Sequence, residues 1–256
     1  MAMYTQRFYR SFACSERWTT FRVQVKSSDL YIRSQDNQAL RVQHLVRRLR
    51  LELEDHIARQ PGFLHSLEPV PRLRKAPPIV QRMYRAAELA QTGPMAAVAG
   101  AIAEFVGRDL LSLSEEVIVE NGGDTFLGLQ EPCTITIFAG KSVFSGKIGL
   151  LVQPEQTPLA VCTSSGTVGH SFSSGQADAV TVVSQDTCLA DAAATAIANL
   201  ISAEGDLEAA LDWAMGIPGV LGAVLIIKDS LAARGEVELV KTESSAQKAK
   251  HSCPHE

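Results

Sequence analysis

The sequence predicts an α+β fold in which Ala-rich helices pack on a mixed, largely antiparallel sheet. Three observations predict it. Short segments of period-two hydrophobicity recur from Phe21 to Val240. Helical stretches stand between them without strict βαβ alternation. Two of those helices, around Gly93–Gly107 and Asp186–Leu200, are crowded with Ala, so their neighbours must approach closely.

In chain order, residues 1–20 read as a polar and aromatic arm. Phe21–Lys26 alternates strictly and Leu30–Arg33 weakly, with Ser27, Ser28 and Asp29 between them, which is a β-hairpin. From Asn37 to about Gln60, Leu40, His44, Leu45, Leu49, Leu53, His56 and Ile57 recur at threes and fours among Arg and Glu. This is an amphipathic helix, with Asp36 as N-cap and Pro61-Gly62 as its stop. His44 and His56 are not four apart and read as structural rather than as a metal pair.

Residues 61–78 hold Pro61, Pro69, Pro71, Pro77 and Pro78, with Arg72, Arg74 and Lys75 among them. They are expected to form an extended surface connection whose basic cluster is solvated. A helix over Ile79–Ala90 follows. Pro94 then suits the first turn of a small-residue helix closed by Gly107. Strands are expected at Glu116–Glu120, Thr125–Leu127, Thr134–Phe138, Lys147–Val152, Leu159–Val161, Ala179–Val183, Val220–Ile227 and Glu236–Val240. The apolar run Val220–Ile227 suits a buried central strand. A short helix is expected over Asp206–Met215, and a disordered polar tail over residues 242–256. The whole of 1–241 is read as one domain.

Composition narrows the function. The 256 residues are 46% hydrophobic and 20% charged, which is ordinary for a globular protein large enough for a sizeable core. A formal charge of −4 and 6% aromatics provide neither a basic field nor a stacking strip for nucleic acid. No apolar run reaches the ~18 residues of a membrane span. Cys14, Cys133, Cys162, Cys188 and Cys253 are odd in number, irregular in spacing and without a CxxC, so a reducing cytoplasm is expected and a disulfide framework is not. Arg7 and Arg10 interrupt the apolar run that a lipoprotein signal ending at Cys14 would need. The tail's His251, Cys253 and His255 are an unorganised set of ligands.

Candidate site residues concentrate between Val161 and Leu200. A strand end runs into Thr163-Ser164-Ser165-Gly166-Thr167, then His170, a second strand, and a helix bearing Asp191 and Thr195 four residues apart. Glycine backbone, hydroxyls and a helix start can cradle an anion, although the P-loop lysine and GxGxxG are both missing. A carboxylate and a hydroxyl at i and i+4 share a helix face and suit a hard cation such as Mg²⁺ or Ca²⁺. The alternative is structural: Asp191 favours the helix dipole and Thr195 bonds back to a carbonyl. Asn121-Gly122-Gly123-Asp124 is the sequence of a tight hairpin turn, and it also sets Asp124 beside bare backbone where a ligand can lie.

Together these motifs resemble the ApbE flavin transferases, and more closely a set of uncharacterised bacterial and archaeal proteins of the ApbE-like superfamily. The resemblance covers roughly residues 93–200. Asn121–Asp124 match the family's G-G-[DE] turn, and Thr163, Ser165 and Gly166 its T-S-G segment with one serine extra. His170 falls on its histidine, while Asp191 and Thr195 match D-A-x-x-T. The resemblance implies a T-fold-like architecture and a phosphate-containing ligand, a flavin nucleotide such as FAD or FMN, held with Mg²⁺. Asn121, Gly122, Gly123, Asp124, Thr163, Ser164, Ser165, Gly166 and Thr167 would bind it. Asp191 and Thr195 would hold the metal, and His170 and Asp191 would be catalytic. It further implies transfer of FMN from FAD to a threonine of a protein substrate through a phosphoester bond. His170 is followed by Ser171-Phe172-Ser173 rather than by the family's Ile-x-Asp-Pro. Two other readings stand beside this one: a non-catalytic module for an anionic metabolite, and a structural homodimer joined through its Ala-rich helices.

Overall fold

Alternation along the strands decides the layers. In the computed structural model, which describes residues 17–165 and 175–242, eight strands form one sheet. They are β1 (Thr19–Val25), β2 (Ser28–Ser34), β3 (Val117–Asn121), β4 (Asp124–Gly128), β7 (Leu159–Ser164), β8 (Ala179–Ser184), β9 (Val220–Ile227) and β10 (Ser230–Gly235), adjacent in that order. Every described pairing between them is antiparallel. The excursion between β4 and β7 supplies β5 (Cys133–Thr136) and β6 (Ile148–Val152), which join β11 (Leu239–Lys241) in a three-stranded sheet.

The large sheet is apolar on both faces. Phe126, Ala160, Cys162, Val180, Val182 and Leu225 point into a core shared with the helices. Leu127, Val161, Ala179, Val183, Val224 and Ile226 point the other way, against Ile137, Leu150 and Val152 of the small-sheet side. With both faces covered, the central strands carry hydrophobic residues at consecutive positions rather than a clean alternation. β9 is buried from Gly222 to Ile227 and lies one strand from the edge.

The helices are α1 (Ala39–Arg59), α2 (Gly62–His65), α3 (Pro78–Ala90), α4 (Val98–Leu110), α5 (Thr187–Leu200) and α6 (Leu207–Gly216). The buried stripe of α1 is Val42, Leu45, Val46, Leu49, Leu53 and His56. Asp36 does not cap it; the Asn37 side chain accepts from the Ala39 amide at 3.0 Å instead. His56 is fully buried, meets the Tyr84 hydroxyl at 2.9 Å and packs edge-on against Phe63 and Tyr84. Burial lowers its pKa, which favours the neutral ring of a packing residue.

Several expectations give way to tertiary contacts. The Pro-rich connection contains α2, whose Phe63 is buried in the same cluster. Gly107 does not end its helix. It lies inside α4, where a Cβ would come within 2.1 Å of the Phe126 ring, so glycine is there for packing. The hairpin between β1 and β2 turns at Lys26 and Ser27, with Lys26 at φ 53°, and Ser28 and Asp29 already belong to β2. β10 carries Ala232, Ala233 and no β-branched residue, and it is strand because β9 pairs with it across six residues. Arg72 pairs with Glu88 of α3, which accounts for one of the three connection cations.

Candidate functional site

The site grows from the contact between α4 and α5. Gly100 on α4 is bare because a Cβ there would stand 2.4 Å from the Thr187 carbonyl oxygen and 2.8 Å from the Asp191 Cβ. The two helix starts therefore meet. The Gly100 amide, in the first turn of α4, donates to Asp191 Oδ2 at 2.8 Å. The Thr187 amide, in the first turn of α5, donates to Glu104 Oε2 at 3.0 Å. Each helix thus receives a carboxylate from the other at the end where its amides lack partners and its dipole is positive. Asp186 caps α5 from its own chain, accepting from the Leu189 amide at 3.0 Å. Asp191 lies one turn beyond the start of α5, so the dipole it complements belongs to α4 rather than to its own helix. The close approach required by the Ala-rich helices is made within the chain.

Asp191 is buried, and burial pushes its pKa from 3.8 up to about 7 against the opposing pull of the Gly100 and Ala99 amides. Among the described residues no cationic side chain pairs with it. Glu104 differs: Arg82 reaches it at 2.6 Å and Arg108 at 2.8 Å, and Arg82 also reaches Asp186 at 3.2 Å. Glu104, Asp186 and Cys188 lie close enough to share an ion, but Arg82 and Arg108 already balance that charge.

The sheet brings further sequence-derived candidates to the same side. Asp124 lies opposite Cys162 in the β4–β7 register, on the helix-facing side with Phe126 and Ala160. Cys162 Sγ approaches the Thr187 carbonyl at 3.7 Å. Burial drives the Cys162 thiol pKa far up, and the adjacent charges of Asp124 and Asp191 push it further the same way. Two residues along β7, on that same side, Ser164 carries a buried hydroxyl that has no hydrogen-bond partner among the described residues. The Thr187 hydroxyl is likewise buried and has no partner among the described residues. Asn121 anchors the turn to α4 by donating to the Ala99 carbonyl at 3.0 Å.

Other candidates point elsewhere. Gly122 (φ 79°) and Gly123 (φ 115°) form the two-residue turn that the sequence predicts, with Asn121 opposite Asp124. Their amides donate to Glu120 Oε1 at 2.8 and 3.2 Å. Thr163 faces away from the helices, pairing its hydroxyl with Thr181 at 2.9 Å. Thr195 is half-buried on α5, one turn past Asp191. Ser165 follows the end of β7, and Gly166, Thr167 and His170 lie outside the described residues, as do Cys14 and the tail histidines. Gly175, where the description resumes, sits against the last turn of α5, its position for a Cβ only 1.8 Å from the Ala198 carbonyl oxygen.

The chemistry this arrangement supports is oxygen-donor chemistry. A buried carboxylate with hydroxyls at Ser164 and Thr195 fits a hard divalent cation and, through it, the phosphate such a cation accompanies. Glu104 and its cross-contact with Thr187 escape the motif reading, yet a signal existed: Glu104 is the single charged residue between Gly93 and Gly107.

This architecture is that of the ApbE-type flavin transferases. The structure aligns with "Flavin Transferase ApbE from Vibrio cholerae" at a TM-score of 0.58, covering 85% of this chain and 96% of that one at 15% identity. It aligns with the ApbE protein of Thermotoga maritima at 0.53, over 86% and 97% at 14% identity. The model of the family described as "AbpE bacteria" matches residues 10–239, and the chain belongs to that family. Its relatives include UPF0280 protein MJ1526 of Methanocaldococcus jannaschii, 39% identical over 233 residues, covering 88% of this chain and 95% of the relative. UPF0280 protein MK0206 of Methanopyrus kandleri is 39% identical over 223 residues, covering 84% and 90%. No single helix among the described residues is long and apolar enough to cross a membrane.

Proposed function

We propose that this protein binds a flavin nucleotide together with Mg²⁺ at the junction of α4, α5 and the central β4–β7 strand pair, and transfers FMN from FAD to a protein threonine. The observation that carries the reading is Asp191: a buried carboxylate with no cationic partner among the described residues, set one turn from Thr195. Desolvation raises its pKa, and a dication beside it reverses that effect by favouring the charged form. Asp191 and Thr195 would hold the metal, which when bound supplies Lewis acidity at phosphoryl oxygens. Ser164 contributes a hydroxyl free to donate to, or accept from, a ligand at the strand end. Asp124 lies on the same face, and the hairpin fixes where it stands. Ser165, Gly166, Thr167 and His170 follow Ser164 in the sequence.

In the transfer, the acceptor threonine oxygen bonds to the FMN phosphorus, the pyrophosphate P–O bond breaks, AMP leaves, and the hydroxyl proton is released. The chain's own part is to hold the phosphates in line and keep water out. A second reading, flavin binding without transfer, is favoured by one feature: Ser171-Phe172-Ser173 follow His170 where the related motif has an acidic residue.

The test is thermal unfolding with FAD, FMN, ATP or no ligand, each with and without Mg²⁺. A native-state ligand at a hundredfold excess over its Kd adds about 2.7 kcal/mol, several degrees for a chain of this size. A Mg²⁺-dependent rise with FAD is expected, followed by AMP release with an acceptor peptide. FAD binding without AMP release selects the second reading, and no rise with any nucleotide overturns both.

A further inference from the structure

We infer that Glu104 is a positioning residue: through the Thr187 amide it fixes the first turn of α5 and thereby holds the Asp191 carboxylate at the start of α4. Its consequence for cation binding rests on the reading of Asp191 given above, but the positioning itself does not.

Four observations support it. Glu104 and Gly100 are four residues apart on α4, and Thr187 and Asp191 are four apart on α5, so the two contacts lie on facing helix surfaces one turn from each other. Running antiparallel, the helices pair Gly100 with Asp191 and Glu104 with Thr187, so a shift at one contact displaces the other. Glu104 is only 2% exposed, yet both its oxygens are engaged: Oε2 by Thr187, and Oε1 by Arg82 of α3 and Arg108 of α4. Arg82 extends the tie to Asp186, the residue that caps α5. A buried carboxylate so fully engaged is expensive to retain for stability alone, since an apolar residue of similar size often serves as well. Its engagement instead joins α3, α4 and the start of α5 in one arrangement, and the lack of a Cβ at Gly100 lets α5 come near enough for Asp191 to reach the amide.

The test reads two amides and one affinity. In Glu104→Ala, hydrogen exchange at Thr187 quickens through loss of its acceptor. The inference requires Gly100 to quicken as well, by about tenfold, the loss expected for a helix cap, while Val119 in β3 keeps its protection. Glu104→Gln retains an acceptor for Thr187 and is expected to leave Gly100 protected. Where Glu104→Ala does not fold, Glu104→Asp, which draws the carboxylate back by one methylene, is expected to give the same paired change at smaller amplitude. Quickening at Thr187 with Gly100 unchanged reduces Glu104 to a cap of α5 and overturns the inference. Titration with Mg²⁺ alone supplies the functional arm: Kd rises about tenfold in Glu104→Ala and is restored by Gln. A wild-type protein that binds no Mg²⁺ refutes the cation reading, and the exchange of Gly100 still decides the positioning.

Discussion

Replacing Gly100 with Ala tests the helix junction with one methyl group. That methyl would lie 2.4 Å from the Thr187 carbonyl oxygen, 3.0 Å from its carbon and 2.8 Å from the Asp191 Cβ. These atoms belong to the start of α5 or lie next to its backbone, so no flexible side chain can swing aside, and the helices must separate. Overpacking of this kind costs about 3 kcal/mol. Separation also lengthens the 2.8 Å bond from the Gly100 amide to Asp191, a cap worth about 1 kcal/mol. Against these, Ala gains about 1 kcal/mol over Gly in helix propensity. The net loss is about 3 kcal/mol, which for this chain length lowers Tm by roughly 6–12 °C. Urea and thermal unfolding measure it, with Gly62→Ala as control, since nothing lies within 4 Å of a Cβ there. Gly100→Ala unfolding at the wild-type temperature would refute the claim that α4 and α5 meet through their backbones.

Three further outcomes are expected. Asp191 titrates near 7 when folded and at 3.8 as an ordinary carboxylate, so the native state holds the proton more tightly. Its contribution to stability is therefore complete below about pH 4 and is lost as pH rises through 7. Without divalent cation, unfolding of the wild type and Asp191→Asn between pH 4.5 and 8 is expected to differ in slope, the variant being flatter; parallel curves would disprove the shift. Ser164→Ala removes a buried hydroxyl that has no partner among the described residues, so it should fold with wild-type stability or better and bind nucleotide at least several-fold more weakly. Unaltered binding would take Ser164 out of the site. The Cys162 and Cys188 thiols are buried with pKa values well above 9.0, so neither should react with a thiol reagent until denaturant is added. Rapid labelling of either in the native protein would contradict the packing of α5 on β7.

Periodicity determined much of this protein by itself. The apolar stripe of α1 and the turn at Gly122-Gly123 follow from local rules, because each depends on residues a few positions apart. The Ala-rich stretches announced that something must come close, and Asp191 and Thr195 announced a shared helix face. Tertiary structure decided which partners those features met. Gly107 resembles a helix terminator in sequence, and the Phe126 ring makes it a contact point instead. Ser230–Gly235 has little strand propensity, and β9 makes it a strand. Thr163 and Ser164 are neighbours in one motif, yet the pleat sends them to opposite faces of the sheet, one to Thr181 and the other toward the helices. Asp191 looks like a residue serving its own helix and serves the start of α4. Pairings between residues 83 and 91 positions apart, such as Glu104 with Thr187 and Gly100 with Asp191, leave no periodic trace, because they depend on how two helices cross rather than on the order of residues in either one.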